Sequence, residues 1–179
     1  MTEIFAGEGT VPAEWIDING HMNVAYYVLA FDLCVDALWS RVGITDEYID
    51  SRQMSTFAVE SHITYQRELK VGDDYRIVAQ LLAIDEKRVH QFQRMYHKHD
   101  GYLAATAEWL NLHVNLQTRR VCPWPEEILT AFVDAARNQH DTALPAEIMR
   151  KMRVNKPVFS LAGYCDQRER LNLASENPA

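Results

Sequence analysis

Asp17-Ile18-Asn19-Gly20-His21-Met22-Asn23 leads directly into Val24, Tyr27, Val28, Phe31, Val35, Leu38 and Val42. The second set recurs every three or four residues, which puts its side chains on one face of a helix. That helix is expected to run to about Arg41 and to stop at Gly43. Asn19-Gly20 reads as a turn, and Asn23 as the residue that caps the first free amides. An acid, a Gly, a His and an Asn thus stand just upstream of a buried helix. The opening amides of a helix lack internal partners and its dipole favours negative charge there, so a carboxylate or a developing oxyanion could use this spot.

Outward from this stretch, residues 3–16 read as a short strand and its exit, and residues 44–55 as a short helix and loop. From Phe57 the period becomes two: Phe57, Val59, Ser61, Ile63 and Tyr65 alternate with Ala58, Glu60, His62 and Thr64. Gly72-Asp73 marks a turn. Tyr75, Ile77, Ala79, Leu81 and Ala83 then alternate with a second face bearing Val78, Leu82 and Ile84. A turn at Asp85-Glu86, a strand from Arg88 to His97, an Asp100-Gly101 hairpin and a long strand follow. In that last strand Leu110, Leu112, Val114 and Leu116 oppose Trp109, Asn111, His113 and Asn115. Pro123-Trp124-Pro125 opens a helix that uses Ile128, Leu129, Phe132, Val133 and Ala136, with Pro125 suited to the first helical position. The expectation is one α+β domain over residues 1–140, its long helix covering the concave face of an antiparallel sheet. Residues 141–179 form an extension without an assigned role: a short helix is expected from Pro145 to Arg153, then a weakly ordered tail in which Val158, Phe159, Leu161 and Tyr164 could dock.

A chain of 179 residues can build one sizeable core. The formal charge of -7 argues against a general nucleic-acid partner. No apolar run nears the roughly 20 residues that span a bilayer. Met1–Gly9 carries no basic cluster, so a secretory signal is not expected and a cytoplasmic location is. Cys34, Cys122 and Cys165 are odd in number and form no CxxC pair, which predicts reduced thiols without zinc or disulfides. His90, His97, His99 and His113 do not stand at metal-ligand spacing with acids, and no metal is assigned.

Asp17-x-x-Gly20-His21-x-Asn23-x-x-x-Tyr27, Glu60-x-x-Ile63-x-Tyr65, Gly72-Asp73, the strand from Ala104 to Asn115, and Thr118-Arg119-Arg120 with Pro123 occur in that order. Over roughly residues 10–135 this set resembles the hotdog-fold acyl-CoA thioesterases of the 4-hydroxybenzoyl-CoA thioesterase type. The resemblance implies a catalytic carboxylate at Asp17 and a Val24 backbone amide that polarises the thioester carbonyl. It also implies no cofactor beyond the CoA of the substrate, and a homodimer or dimer of dimers joined sheet edge to sheet edge, with active sites between protomers. Asp17–Asn23 and Glu60–Asp73 further resemble thioesterases found with or fused to carnitine dehydrogenases. That implies betainyl-CoA as substrate and a dehydrogenase of the same pathway as partner.

The residues carry plainer readings beside these. Asp17 could be a turn or cap residue, yet Asn23 is the better cap, which frees Asp17 to attack a carbonyl or activate water. His21 could be a base, although a structural bond that orients the loop is favoured. Asn23 is divided between cap and substrate contact, and Tyr27 between core and pocket wall. Glu60 is either a solvated strand residue or a second carboxylate meeting water or a cationic acyl group. Quaternary ammonium groups favour aromatic cages, and Trp15 stands nearest Asp17; ordinary packing remains the simpler reading of each Trp. Arg119 and Arg120 would contact CoA phosphates only at a pocket mouth. A non-catalytic acyl-CoA-binding protein and a hotdog dehydratase or hydratase using His21 with Glu60 are the competing functions, and the motif order favours the thioesterase.

Overall fold

The computed structural model describes residues 4–139, 143–148, 152 and 154–164. Strand β1 (Ile4–Thr10) and a single 3-10 turn (Ala13–Trp15) precede helix α1 (Val24–Arg41) and helix α2 (Asp46–Arg52). Four long strands follow: β2 (Met54–Tyr65), β3 (Asp74–Ile84), β4 (Arg88–His97) and β5 (Leu103–Asn115). A short β6 (Arg120–Val121), helix α3 (Glu126–Arg137) and β7 (Phe159–Ser160) complete the described elements. The sheet is antiparallel in the order β1-β3-β4-β5-β2, with β6 added to β5 and β7 to β3. It curls around α1, which is the hotdog arrangement. Pro125 caps α3 from just outside rather than opening it. No helix among the described residues is long and apolar enough to cross a membrane.

Helix α1 buries Tyr27, Phe31, Val35 and Leu38 as expected, and Val42 just beyond it, but Val24 and Val28 are 54% and 36% exposed. The buried arc runs instead through Ala30, Cys34 and Trp39. Small side chains explain the rotation, because they let α1 approach β1 closely. A Cβ added to Gly7 would lie 2.5 Å from Cys34 Sγ. Burial pushes the Cys34 thiol up to about 11, so it is a packing group rather than a reactive one.

Two β-bulges overturn the simple alternation expected of the strands. In β2 the pairing with β5 skips Val59, so Phe57 shares a face with Glu60, His62 and Thr64. In β3 the register against β4 skips Leu82, which turns Ile84 toward α1 and Ala83 away from it. One extra residue reverses every later side chain, because the strand period is two. On β5 the face toward α1 carries Ala105, Ala107, Trp109, Asn111 and His113, while Leu110 points outward. Trp109 and Gln93, both inward, are tied down: Trp109 Nε1 donates to Gln93 Oε1 at 2.8 Å, and Gln93 Nε2 to the Phe31 carbonyl at 3.2 Å.

The outer face is covered by the chain's own later segments. Leu82, Ala83 and Phe92 pack with Val154, Leu161 and Tyr164. Beneath them His90 is fully buried, with Nε2 2.7 Å from Glu108 Oε1 and Nδ1 2.7 Å from the Tyr164 hydroxyl. The same hydroxyl accepts from the Val154 amide at 3.0 Å. Phe159, Leu161 and Tyr164 therefore dock, as their apolar character allowed within a tail expected to be weakly ordered, while Val158 stays 61% exposed. Pro145–Ile148 form a turn, not a helix. The remainder of that expected helix, apart from Met152, and the stretch from Cys165 onward lie outside the described residues.

Candidate active site

The Asp17–Asn23 loop closes on itself before α1 begins. Ile16 and Met22 form an isolated antiparallel bridge, and the Asp17 amide donates to the His21 carbonyl at 3.1 Å. Gly20 donates to the Asp17 carbonyl at 3.0 Å from a φ of +79°, an angle at which a side chain would be strained. The half-buried Asp17 carboxyl takes a bond from the Asn19 amide to Oδ1 at 2.8 Å and one from Asn23 Nδ2 to Oδ2 at 3.3 Å. Asn23 Oδ1 in turn accepts from the Ala25 amide at 3.0 Å, which is the expected cap. The amide of Val24, first residue of the helix, has no hydrogen-bond partner among the described residues. A carboxyl and a free donor thus flank one helix terminus, as acyl transfer requires of a nucleophile or base and an oxyanion site.

A cavity of about 260 Å³ opens beside this loop, lined by His21, Met22, Val24, Tyr27, Tyr65, Gln66, Arg67 and Glu68. Asp17 does not line it, and neither does Asn23, whose Nδ2 donates to Asp17. His21 Nδ1 is 3.2 Å from the Met22 carbonyl, and Nε2 has no partner among the described residues. Tyr27 is both core and wall: its hydroxyl accepts from the Leu69 amide at 3.0 Å, and its ring meets Tyr65 edge-on at 5.3 Å. Burial raises the Tyr27 and Tyr65 hydroxyls above the usual phenol range, so both stay protonated near neutrality. The Arg67 guanidinium lies 3.9 Å over the Tyr102 ring and is the one Lys or Arg side chain among the described residues that lines this cavity.

The other sequence-derived candidates lie elsewhere. Trp15 stacks on Tyr26 at 5.3 Å and on Tyr75 at 6.4 Å, and its carbonyl accepts from the Asn23 amide at 2.8 Å. Glu60 is exposed on the outer face, beyond the Val59 bulge. Arg119 lies over Phe57, and Arg119 and Arg120 are exposed past the far end of β5. Ala105 of β5 pairs with Tyr65 and Asn115 with Met54, so those arginines stand roughly 30 Å along the strand from the cavity of the same chain. Tyr65, Gln66 and Arg67 wall the cavity because β2 ends beside α1; the sequence marks the strand but not what its end meets. No group of three or more His, Cys, Asp or Glu among the described residues could hold a metal ion.

Residues 11–132 match the model of the thioesterase-like superfamily. A betainyl-CoA thioesterase of Pseudomonas aeruginosa is 36% identical over 138 residues, covering 77% of this chain and 86% of that one. An L-carnitine dehydrogenase/betainyl-CoA thioesterase of Rhizobium meliloti is 37% identical over 119 residues, 66% of this chain but only 24% of that longer protein. Among solved structures, a Staphylococcus aureus protein in complex with CoA superposes with a TM-score of 0.76 at 29% identity, over 87% of this chain and 98% of that one. Helix terminus, curled sheet and sequence agree: the chain belongs to the thioesterase-like superfamily and is a hotdog-fold acyl-CoA thioesterase.

Proposed function

We propose that the protein hydrolyses a small acyl-CoA, with betainyl-CoA first among them, and that Asp17 is its nucleophile or general base. The supporting observation is the Asp17 carboxyl held by two donors, one of them the side chain of Asn23, the residue just before Val24, whose amide has no partner among the described residues. Asp17 attacks the thioester carbonyl to give a mixed anhydride, or takes a proton from water that attacks it; either way the CoA thiol leaves. The Val24 amide donates to the carbonyl oxygen as charge grows there, a contribution worth about 100-fold to 1000-fold in rate for a single donor. Asn23 orients the carboxyl, His21 and Tyr27 shape the cavity, and Trp15 positions Asn23 through its carbonyl rather than caging the substrate.

The proposal includes a homodimer. Strand β2 is the last in the sheet order and has a free edge among the described residues. Val59 and Tyr65 of that strand, with Val24, Val28, Leu29 and Leu33 of α1, are large apolar residues left exposed. Antiparallel pairing of β2 with its copy would satisfy the edge and cover that surface. It would also bring the Met54 end of one β2 beside the Tyr65 end of the other, and with it Arg119 and Arg120 of the second copy as phosphate contacts. The betainyl assignment rests on the P. aeruginosa and R. meliloti relatives. A dehydrogenase that supplies the acyl precursor is the proposed pathway partner. The hydratase alternative draws less support, since Glu60 is on the outer face and His21 lines the inner cavity.

The test is thiol release, followed with a disulfide-exchange dye, across a panel of acyl-CoAs. Release that Asp17→Asn silences supports the reading. Tight CoA-ester binding without release would make the protein a binder instead.

A further inference from the structure

Two fixed charges among the described residues line the cavity beside Val24: Arg67 and Glu68. The Glu68 carboxyl lies 3.2 Å from Lys70 Nζ and so has its counter-charge. Arg67 forms no ion pair, and no acceptor takes its guanidinium N–H groups, among the described residues. We propose that Arg67 binds a phosphate of CoA at the rim of this cavity, and that the cavity takes the CoA arm of the substrate rather than its acyl group; this rests on the thioesterase reading above and gives the substrate a direction across the Val24 amide.

The guanidinium is held in place before any ligand arrives. It lies 3.9 Å over the Tyr102 ring. Tyr102 is itself fixed: its hydroxyl donates to the Glu68 carbonyl at 3.0 Å, and its ring stacks on His97 at 4.8 Å with 19° between the planes. The Arg67 amide donates to the Ala104 carbonyl at 3.1 Å, which anchors the backbone end as well. Stacking engages the flat face of a guanidinium and leaves the N–H groups, which lie in its plane, to meet acceptors. A planar fork of that kind matches two oxygens of one phosphate. Ordering the side chain in advance removes part of the entropy cost of binding.

Burial sets the direction. Tyr27 is 3% exposed and forms the floor of the cavity, whereas Arg67 and Glu68 are exposed and stand at its rim. CoA carries its phosphates at the end of the pantetheine arm remote from the sulfur, so a phosphate contact belongs at a rim and the thioester nearer Val24. A quaternary ammonium in the same cavity would meet an unmatched positive charge, since Glu68 is taken up by Lys70. The acyl group therefore lies on the side of the Val24 amide away from Arg67. In the β2 pairing proposed above, Arg119 and Arg120 of the second copy come to the Tyr65 end, two residues before Arg67, and add to the same positive rim.

The experiment compares kcat/KM on three esters of one acyl group: the CoA ester, the 3′-dephospho-CoA ester and the pantetheine ester, which has no phosphate. Arg67→Ala is expected to lower the ratio of CoA ester to pantetheine ester by about tenfold or more, through KM, and Arg67→Lys to recover part of it. A fall that persists with the dephospho-CoA ester assigns the contact to the diphosphate; a fall confined to the full CoA ester assigns it to the 3′-phosphate, and either upholds it. Tyr102→Leu should lower the same ratio by a smaller factor, because it frees the guanidinium without removing it. Thermal melts confirm that the variants are folded. An unchanged ratio in folded Arg67→Ala protein overturns the phosphate contact and leaves the thioesterase reading standing. Betainyl-CoA set against its uncharged carbon isostere, 3,3-dimethylbutyryl-CoA, tests the direction. The preference between them should be the same in wild type and Arg67→Ala; a gain for the cation in the variant would put the acyl group beside Arg67 and overturn the assignment. If wild type hydrolyses none of the esters, the catalytic reading fails. Titration calorimetry with CoA then decides Arg67 alone: binding weakened by about tenfold in Arg67→Ala upholds it, and equal binding, or none to wild type, overturns it.

Discussion

Asn23 holds Asp17 and caps α1 with the same amide group: Nδ2 donates to Asp17 Oδ2 at 3.3 Å, and Oδ1 accepts from the Ala25 amide at 3.0 Å. The proposed catalytic carboxyl is therefore registered to the helix terminus by one side chain. We predict that Asp17→Asn, which removes the anion but keeps the shape, lowers thioester hydrolysis by at least about 100-fold with little change in melting temperature. Steady-state thiol release and a thermal melt check both halves.

Substitutions at Asn23 separate its two duties. Asn23→Ala should cost about 1 kcal/mol of stability through the lost cap and also reduce kcat. Asn23→Asp keeps a good cap but sets a second carboxyl against Asp17, so stability should hold while kcat falls. Chemical denaturation beside kinetics distinguishes the pair. Full activity in Asn23→Asp would detach Asn23 from the site.

Gly7 is predicted to be intolerant of any side chain, because its added Cβ would sit 2.5 Å from Cys34 Sγ. Gly7→Ala should destabilise by about 1–3 kcal/mol through overpacking. Combining it with Cys34→Ala should recover part of that loss, which a double-mutant cycle measures directly.

His113 supplies a pH test of the fold. Its Nδ1 lies 2.9 Å from the Pro123 carbonyl and its Nε2 2.8 Å from the Tyr48 hydroxyl, an arrangement that suits the neutral ring with Nδ1 donating and Nε2 accepting. Burial holds its pKa below the ordinary value of 6.5, and the bonds to the Pro123 and Cys122 carbonyls oppose this only in part. The same burial pushes the Tyr48 hydroxyl up to about 12. The unfolded chain takes up a proton as pH falls through about 6.5 while the folded ring resists. The contribution is thus intact above that value and is lost as pH falls through the lower, folded pKa. His113→Gln should flatten the dependence of melting temperature on pH over this acid range, while lowering the melting temperature at neutral pH.

The clamp on the outer face gives a stability test. His90→Phe removes one partner of the fully buried Glu108 and should destabilise by several kcal/mol, on the order of 3–5. Limited proteolysis should then cut the docked 155–164 segment first, since Tyr164 loses its partner on the sheet.

Much of this was legible in the sequence because it depends on local rules. The 3.6-residue period from Tyr27 to Val42 located α1, Gly43 ended it, and Asp100-Gly101 joined β4 to β5. What escaped depends on partners distant in the chain. The Val59 bulge has no local signature, yet it decides which face Glu60 occupies. The alternation in β5 separates two faces without saying which meets α1; the inward positions went to Trp109, Asn111 and His113, with Trp109 bonded to Gln93 of β4 and His113 to Tyr48 of α2 and the Pro123 carbonyl. The Asn19-Gly20 turn and the Asn23 cap were legible because each depends on a few neighbouring residues. A second cavity of about 660 Å³, lined by Asp32, Asp36, Asp46 and Glu47, was not, because its walls come from α1, α2, β2 and β5.

The later segments leave a mark on how copies of this chain can associate. Val154, Leu161 and Tyr164 sit where a second sheet would have to lie flat against Leu82 and Phe92. Back-to-back stacking of two such sheets must first peel that covering away and uncover His90 and Glu108. The chain carries its own bumper against stacking of that geometry, which leaves the ends of the sheet order, the proposed β2 edge among them, for any pairing between copies.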